Sequence, residues 1–146
     1  MNFLYIFLLT FLLISCTQNK SNEQMLEERA DSFATAYFNY QFKEAKKHVD
    51  TPSEKWLQYA ATNVTQEDVD ILKKQENGAS VTINDIIFSN AQETQADVHI
   101  TVHNFLQHDS IGKSGQMIED AKFTLKAYQE NGRWFIRMED LPQSGK

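Results

Sequence analysis

The apolar residues of this chain change their period near residue 79, and that change limits the fold more than any other feature. Before it, Leu26, Ala30, Phe33, Tyr37 and Tyr40 recur at steps of three and four. That is one apolar stripe on a helix from about Asn22 to Asn39. Glu23, Glu27, Glu28 and Asp31 suit its N-terminal half through the helix dipole. A shorter helix fits Phe42–Val49, with Phe42, Ala45 and Val49 inward and Lys43, Lys46 and Lys47 outward. Thr51-Pro52-Ser53-Glu54 reads as the start of a third, with Thr as cap and Pro in the first turn; Trp56, Leu57 and Ala60 supply its apolar face. Thr65-Gln66-Glu67-Asp68 starts a fourth that carries Val69 and Leu72, and Asn77-Gly78 ends it.

After residue 79 the pattern alternates, which predicts strands over about Ser80–Ser89, Ala96–Leu106, Ala121–Glu130 and Arg133–Asp140. Asn131-Gly132 between the last two is a strong two-residue hairpin signal. It pairs Glu130 with Arg133, Gln129 with Trp134, Tyr128 with Phe135, Ala127 with Ile136 and Leu125 with Met138. Residues directly opposite share a face. One face then holds Leu125, Ala127, Trp134, Ile136 and Met138, and the other holds Lys126, Tyr128, Glu130, Arg133, Phe135 and Arg137. The Lys126–Arg137 pair sets like charges opposite each other. On the second strand, alternation sends Val98, Ile100, Val102 and Leu106 to the core, and Asp97, His99, Thr101, His103 and Phe105 away from it. The fold class is α+β, with N-terminal helices packed on a curved four-stranded antiparallel sheet.

All charge lies downstream of residue 15. Of the first 15 residues 12 are apolar, and the run Phe3–Ile14 is 12 residues long. As a helix it would span about 18 Å against a bilayer core of roughly 30 Å, too short to cross and the right length for the apolar part of a signal peptide. The run ends in Leu13-Ile14-Ser15-Cys16, which resembles the lipobox of bacterial lipoproteins. The resemblance implies cleavage before Cys16, a diacylglyceryl thioether on its sulfur and acylation (palmitate) of its new amine. Several acyl chains, at ~0.8 kcal/mol per buried methylene, make a stable anchor. Thr17 stands where an Asp would retain such a protein in the inner membrane, which implies the outer membrane. As the only cysteine, Cys16 has no disulfide partner in the chain. Residues 1–15 are thus read as a signal peptide, 16–21 as a polar tether, 22–141 as a single domain and 142–146 as a tail. A net charge of −6 over 146 residues argues against a nucleic-acid partner.

The segment Tyr37-Phe38-Asn39-Tyr40-Gln41-Phe42-Lys43-Glu44-Ala45-Lys46-Lys47-His48-Val49, between a long first helix and a later antiparallel sheet, resembles the nuclear transport factor 2-like superfamily. Its small secreted lipoproteins, uncharacterised ones related to lumazine-binding-like domains among them, have a similar aromatic spacer and Lys-rich helix. The resemblance covers about residues 22–140. It implies a cystatin-like cone, helices against a curved sheet.

Few residues suggest chemistry. His99 and His103 share a strand face, but four residues at ~3.3 Å each put them about 13 Å apart, too far to chelate one zinc ion at about 2.0 Å per nitrogen. No metal site and no cofactor is expected. Asp97 and His99 stand roughly 6.6 Å apart on one face, the skeleton of an acid–base pair, yet on the face away from the cone. No Gly-x-Ser-x-Gly and no Gly-rich phosphate loop is present. Trp56, Tyr59 and Trp134, with Tyr37 and Phe33, are candidates to line a ligand pocket inside the cone, or else simply to fill its core. On the outer sheet face His103, Phe105, Tyr128 and Phe135, near His99, form a candidate interface for a weak homodimer or an envelope partner, unless Leu141-Pro142 or the loop Asp109–Gln116 covers it. Asp109-Ser110-Ile111 resembles the O-glycosylation acceptor of some Gram-negative anaerobes, and Asn63-Val64-Thr65 is better read as a helix cap than as a sequon. The expectation is a membrane-anchored envelope lipoprotein whose domain binds without catalysing; the alternative is an enzyme that uses the cone pocket.

Overall fold

The computed structural model describes residues 19–108 and 112–145. Cys16 with its signal segment, and Asp109-Ser110-Ile111, lie outside them. Among the described residues four α-helices precede four strands: α1 (Asn22–Phe38), α2 (Phe42–Ala45), α3 (Glu54–Thr62), α4 (Gln66–Lys74), β1 (Ser80–Phe88), β2 (Gln95–Gln107), β3 (Gln116–Glu130) and β4 (Arg133–Arg137). The strands form one antiparallel meander in the order β1-β2-β3-β4. Among the described residues every buried apolar side chain falls between Leu26 and Met138.

α1 begins with a capping box. The Ser21 hydroxyl accepts from the Gln24 N–H, and the Gln24 side chain accepts from the Ser21 N–H. Its buried stripe, Leu26, Ala30, Phe33 and Ala34, lies on the sheet. It ends in a Schellman arrangement: Gln41 N–H donates to Ala36 and Tyr40 N–H to Tyr37. The position that usually takes glycine is Tyr40, at φ 61°. The strain of a left-handed tyrosine is offset by its hydroxyl, which donates to the Leu106 carbonyl at 2.8 Å.

The predicted second helix breaks into α2 and a 3-10 turn at Lys46–His48. The predicted Thr51 start is a second 3-10 turn, Thr51–Ser53, with Asp50 at its cap position. Thr65 caps α4 in a reciprocal box with Asp68. Gly78 does not end α4, which is capped at Gln75. Instead Gly78 lets Asn39 come close: a Cβ on it would stand 2.4 Å from the Asn39 Oδ1. That amide accepts from the Ala79 N–H and donates to the Ala79 carbonyl, stitching α1 to the entry of β1.

The hairpin register is as the sequence predicts from Glu130↔Arg133 to Ala127↔Ile136. Asn131 and Gly132, at φ 53° and 78°, make the left-handed two-residue turn. Leu125, Ala127, Trp134, Ile136 and Met138 are all buried. Leu125–Met138 is not part of the ladder, because β4 stops at Arg137. There Lys126 turns to Glu139 and Arg137 to Asp50, which resolves the like-charge pair. β1 carries a bulge between Ile83 and Asp85, so Val81, Ile83, Ile86 and Phe88 all pack inward. The free edge of β4 is covered by Val49, which bridges Ile136.

Phe105 corrects the simple alternation. It is buried, packed edge-to-face on Phe38 and Phe123, not exposed on the outer face. The cause is Asn104, whose left-handed φ of 54° turns the strand over by one residue. Asn104 points out and donates to the Asn77 carbonyl, and both Phe105 and Leu106 are buried.

Candidate functional site

The space between helices and sheet is largely filled. Phe38, Phe105 and Phe123 pack mutually with ring centroids 4.7–5.6 Å apart. What remains is a cavity of about 100 Å³ near the cone mouth, bounded by Tyr37, Tyr40, Phe42, His108 and Leu141 among others. Small-molecule sites usually offer ~300–1,000 Å³. Burial, chiefly, holds the Tyr37 and Tyr40 hydroxyls well above the ordinary tyrosine range, so both stay neutral.

The proposed ligand-lining trio is not brought together here. Trp134 is buried under α1, against Phe88, and its Nε1 donates to Asn22 Oδ1 at 2.9 Å. It is a core residue, because the hairpin register sends it inward beneath the helix. Trp56 and Tyr59 meet edge-to-face on α3 at 6.3 Å, Trp56 half-buried under Lys55 and Tyr59 exposed. α3 reaches the cavity through Ala60 and the residue after its end, Asn63. The tail residues Leu141 and Pro142 border the cone mouth, and they also line a second hollow with His99 and Arg137.

At the cavity rim, His108 folds back onto Asp68, with Nε2 2.8 Å from Oδ2. Asp68 is fully buried. It also accepts from the Thr65 N–H and the Gly115 N–H, each at 2.7 Å. Burial pushes its carboxyl up, but these donors together outweigh that, and the group titrates below the ordinary aspartate range. The sequence marks Asp68 only as part of a helix start. The pairing with His108 joins residues 40 apart and has no local signature.

The outer face is built differently. Tyr128 and Phe135 stack across β3 and β4 at 5.7 Å. Arg137 lies over Tyr128 at 4.3 Å and Arg133 over Phe135 at 4.9 Å, so each ring carries a guanidinium. Both rings are half-buried. His103 bridges Thr82 and Asp120 across three strands. His99 turns to Thr124 at 3.0 Å, and no Asp97–His99 bond forms. Ile87, 52% exposed on β1, pairs opposite Asp97 and extends this surface.

Among the described residues no group of three or more His, Cys, Asp or Glu could hold a metal ion, and no helix is long and apolar enough to cross a membrane. No protein-family model matches the chain, and no curated protein matches it. A solved structure described as an "Ntf2 like protein involved in plasmid conjugation" is similar over 86% of this chain, at 14% sequence identity and a TM-score of 0.39, and the chain spans half of that protein's length.

Proposed function

We propose that this chain is a lipid-anchored protein of the bacterial envelope whose α+β domain is a non-catalytic binding module. One observation carries the module reading: the cone is packed by its own rings around a mouth cavity of about 100 Å³, while the outer sheet face presents a stacked aromatic pair with two guanidiniums. The order of elements supports assigning the domain to the nuclear transport factor 2-like superfamily, and kinship with lumazine-binding-like lipoproteins belongs to the same proposal. The anchor rests on the lipobox-like Leu13–Cys16, and Thr17 after it supports the outer membrane over the inner. Intact mass of the membrane fraction tests it: the mature protein starts at Cys16 and carries acyl mass. A different start, or a Cys16→Ala chain that is processed and still membrane-held, overturns it.

The partner surface is Tyr128 and Phe135, without Phe105; His103 pairs opposite Asp120, eight residues along β3 from Tyr128 and roughly 26 Å away, and lies outside it. Its first occupant is a second copy, bound with micromolar strength, because Arg133 and Arg137 must stay hydrated or paired on association. Analytical ultracentrifugation of residues 17–146 against Phe135→Ser shows the dimer weakened by the substitution. Two strictly monomeric proteins, together with unchanged crosslinks to envelope proteins in cells, defeat this surface.

A second reading, an enzyme that uses the cone pocket, is favoured by the Asp68–His108 pair beside Tyr40 at the cavity rim. It requires that a small molecule enter. Such a ligand would shift the His108 and Tyr40 resonances, whereas a filled cone gives no such shift.

A further inference from the structure

The chain has three arginines and a net charge of −6, yet two of the three face one hollow whose single lining carboxylate, Glu28, is paired with Lys20. This hollow, of about 420 Å³, lies between α1 and the β3–β4 turn and is lined by Lys20, Glu28, Arg29, Ser32, His48 and Arg133 among others. Arg29, half-buried on α1, donates to His48 Nδ1 at 2.7 Å, which makes that imidazole neutral and an acceptor. Arg133 reaches round the edge of β4 and donates to the Lys47 carbonyl at 3.1 Å. Neither guanidinium forms an ion pair among the described residues, whereas Arg137 is paired with Asp50. Each Arg keeps donor N–H groups in a planar fork that suits an oxyanion. Burial and the Arg133 charge lower the Arg29 pKa, and burial and the Arg29 charge lower that of His48. The cluster is therefore a place where positive charge is held at a cost that an anion would relieve.

We propose that this hollow is an oxyanion site in which Arg29 and Arg133 grip a phosphate, and that the phosphate is that of an anionic phospholipid headgroup. The headgroup assignment rests on the anchored reading. Lys20 borders the hollow, four residues after Cys16, and four residues span at most roughly 14 Å. An acylated Cys16 therefore keeps the hollow within reach of the membrane surface. The Lys20–Glu28 pair is exposed on both sides, 57% and 57%, so it is weak, and its two charges offset each other and leave the arginines as the net charge of the hollow. The overall negative charge would repel an anionic bilayer, so contact falls to this local patch.

The test uses residues 17–146, which hold every buried apolar side chain among the described residues, with inorganic phosphate as probe and NMR as readout. Phosphate shifts the Arg29, His48 and Gly132 signals saturably and raises the His48 titration midpoint. Arg133→Gln, an exposed change that leaves the core intact, and Arg29→Gln each weaken binding about tenfold or more. Arg137→Gln, outside the hollow, leaves it unchanged. Phosphatidylcholine vesicles containing phosphatidylglycerol cosediment the chain and release it to added phosphate; vesicles of phosphatidylcholine alone do not. Absent or non-saturable phosphate binding, or binding indifferent to both hollow variants, overturns the site. Phosphate binding without vesicle binding overturns the headgroup and leaves a soluble phosphate ester as occupant. Because this chain lacks Cys16, the result is independent of acylation, which fatty-acid labelling of the full chain in cells reads separately.

Discussion

Among the described residues two carboxylates are buried, Asp68 with 0% and Asp50 with 5% exposure, and they are held by different means. Asp68 is gripped by two backbone N–H groups and one imidazole, from Thr65, Gly115 and His108. Asp50 is gripped by side chains: the Ser53 hydroxyl and the Arg137 Nε, the latter at 3.0 Å. Both tie the helical layer to the sheet. Asp68 fastens the start of α4 to the segment before β3. Asp50 and Ser53 fasten the second 3-10 turn to the end of β4, where Ser53 Oγ accepts from the Met138 N–H at 2.8 Å. The difference lies in what happens when the acid is lost. A backbone N–H cannot turn away to find water, whereas Arg137, with its side chain 47% exposed, can.

The largest effect follows from that asymmetry. Asp68→Ala leaves the Thr65 and Gly115 donors and His108 without an acceptor in a buried site, and costs about 3 kcal/mol or more of unfolding free energy. Asp50→Ala costs less, about 2 kcal/mol, because Arg137 rehydrates and only Ser53 is left with a lost partner. Urea unfolding of both variants checks the order. Equal losses would mean that the Arg137 side chain is as fixed as a backbone amide, and the comparison would fail.

The same two sites mark how far the sequence could be read. The change of period at residue 79 and the Asn131-Gly132 turn were enough for the layer order, the meander and the hairpin register, because those signals are local and reinforce one another. Strict alternation carries straight through Asn104 and so sends Phe105 to the outer face. A polar side chain at a core position was the clue to the left-handed turn that buries Phe105. Trp134 was legible as an inward residue but not as a donor to Asn22, 112 positions away. Asp68 was legible as part of a helix start, yet its partners Gly115 and His108 are 47 and 40 positions distant. The arginine hollow was illegible for the same reason: α1, the Lys46–His48 turn and the hairpin meet only in the folded chain.

The smallest effect is also the sharpest test of how Asp68 is held. Asp68→Asn keeps the volume and one acceptor oxygen, but replaces the other oxygen with an NH2 that faces donors. At neutral pH it costs about 1 kcal/mol. The folded-state pKa of Asp68 lies below its ordinary value of 3.8, so the unfolded chain binds the proton more readily than the folded one. The carboxylate's contribution is therefore fully present above about pH 4 and is lost as pH falls through the ordinary carboxylate range and below it. The wild type and Asp68→Asn should differ in urea midpoint at pH 7 and converge as the pH is lowered past that range. Parallel acid curves would mean that the carboxylate charge does nothing the neutral amide cannot do. The distinction from Asp50 would then rest on geometry alone.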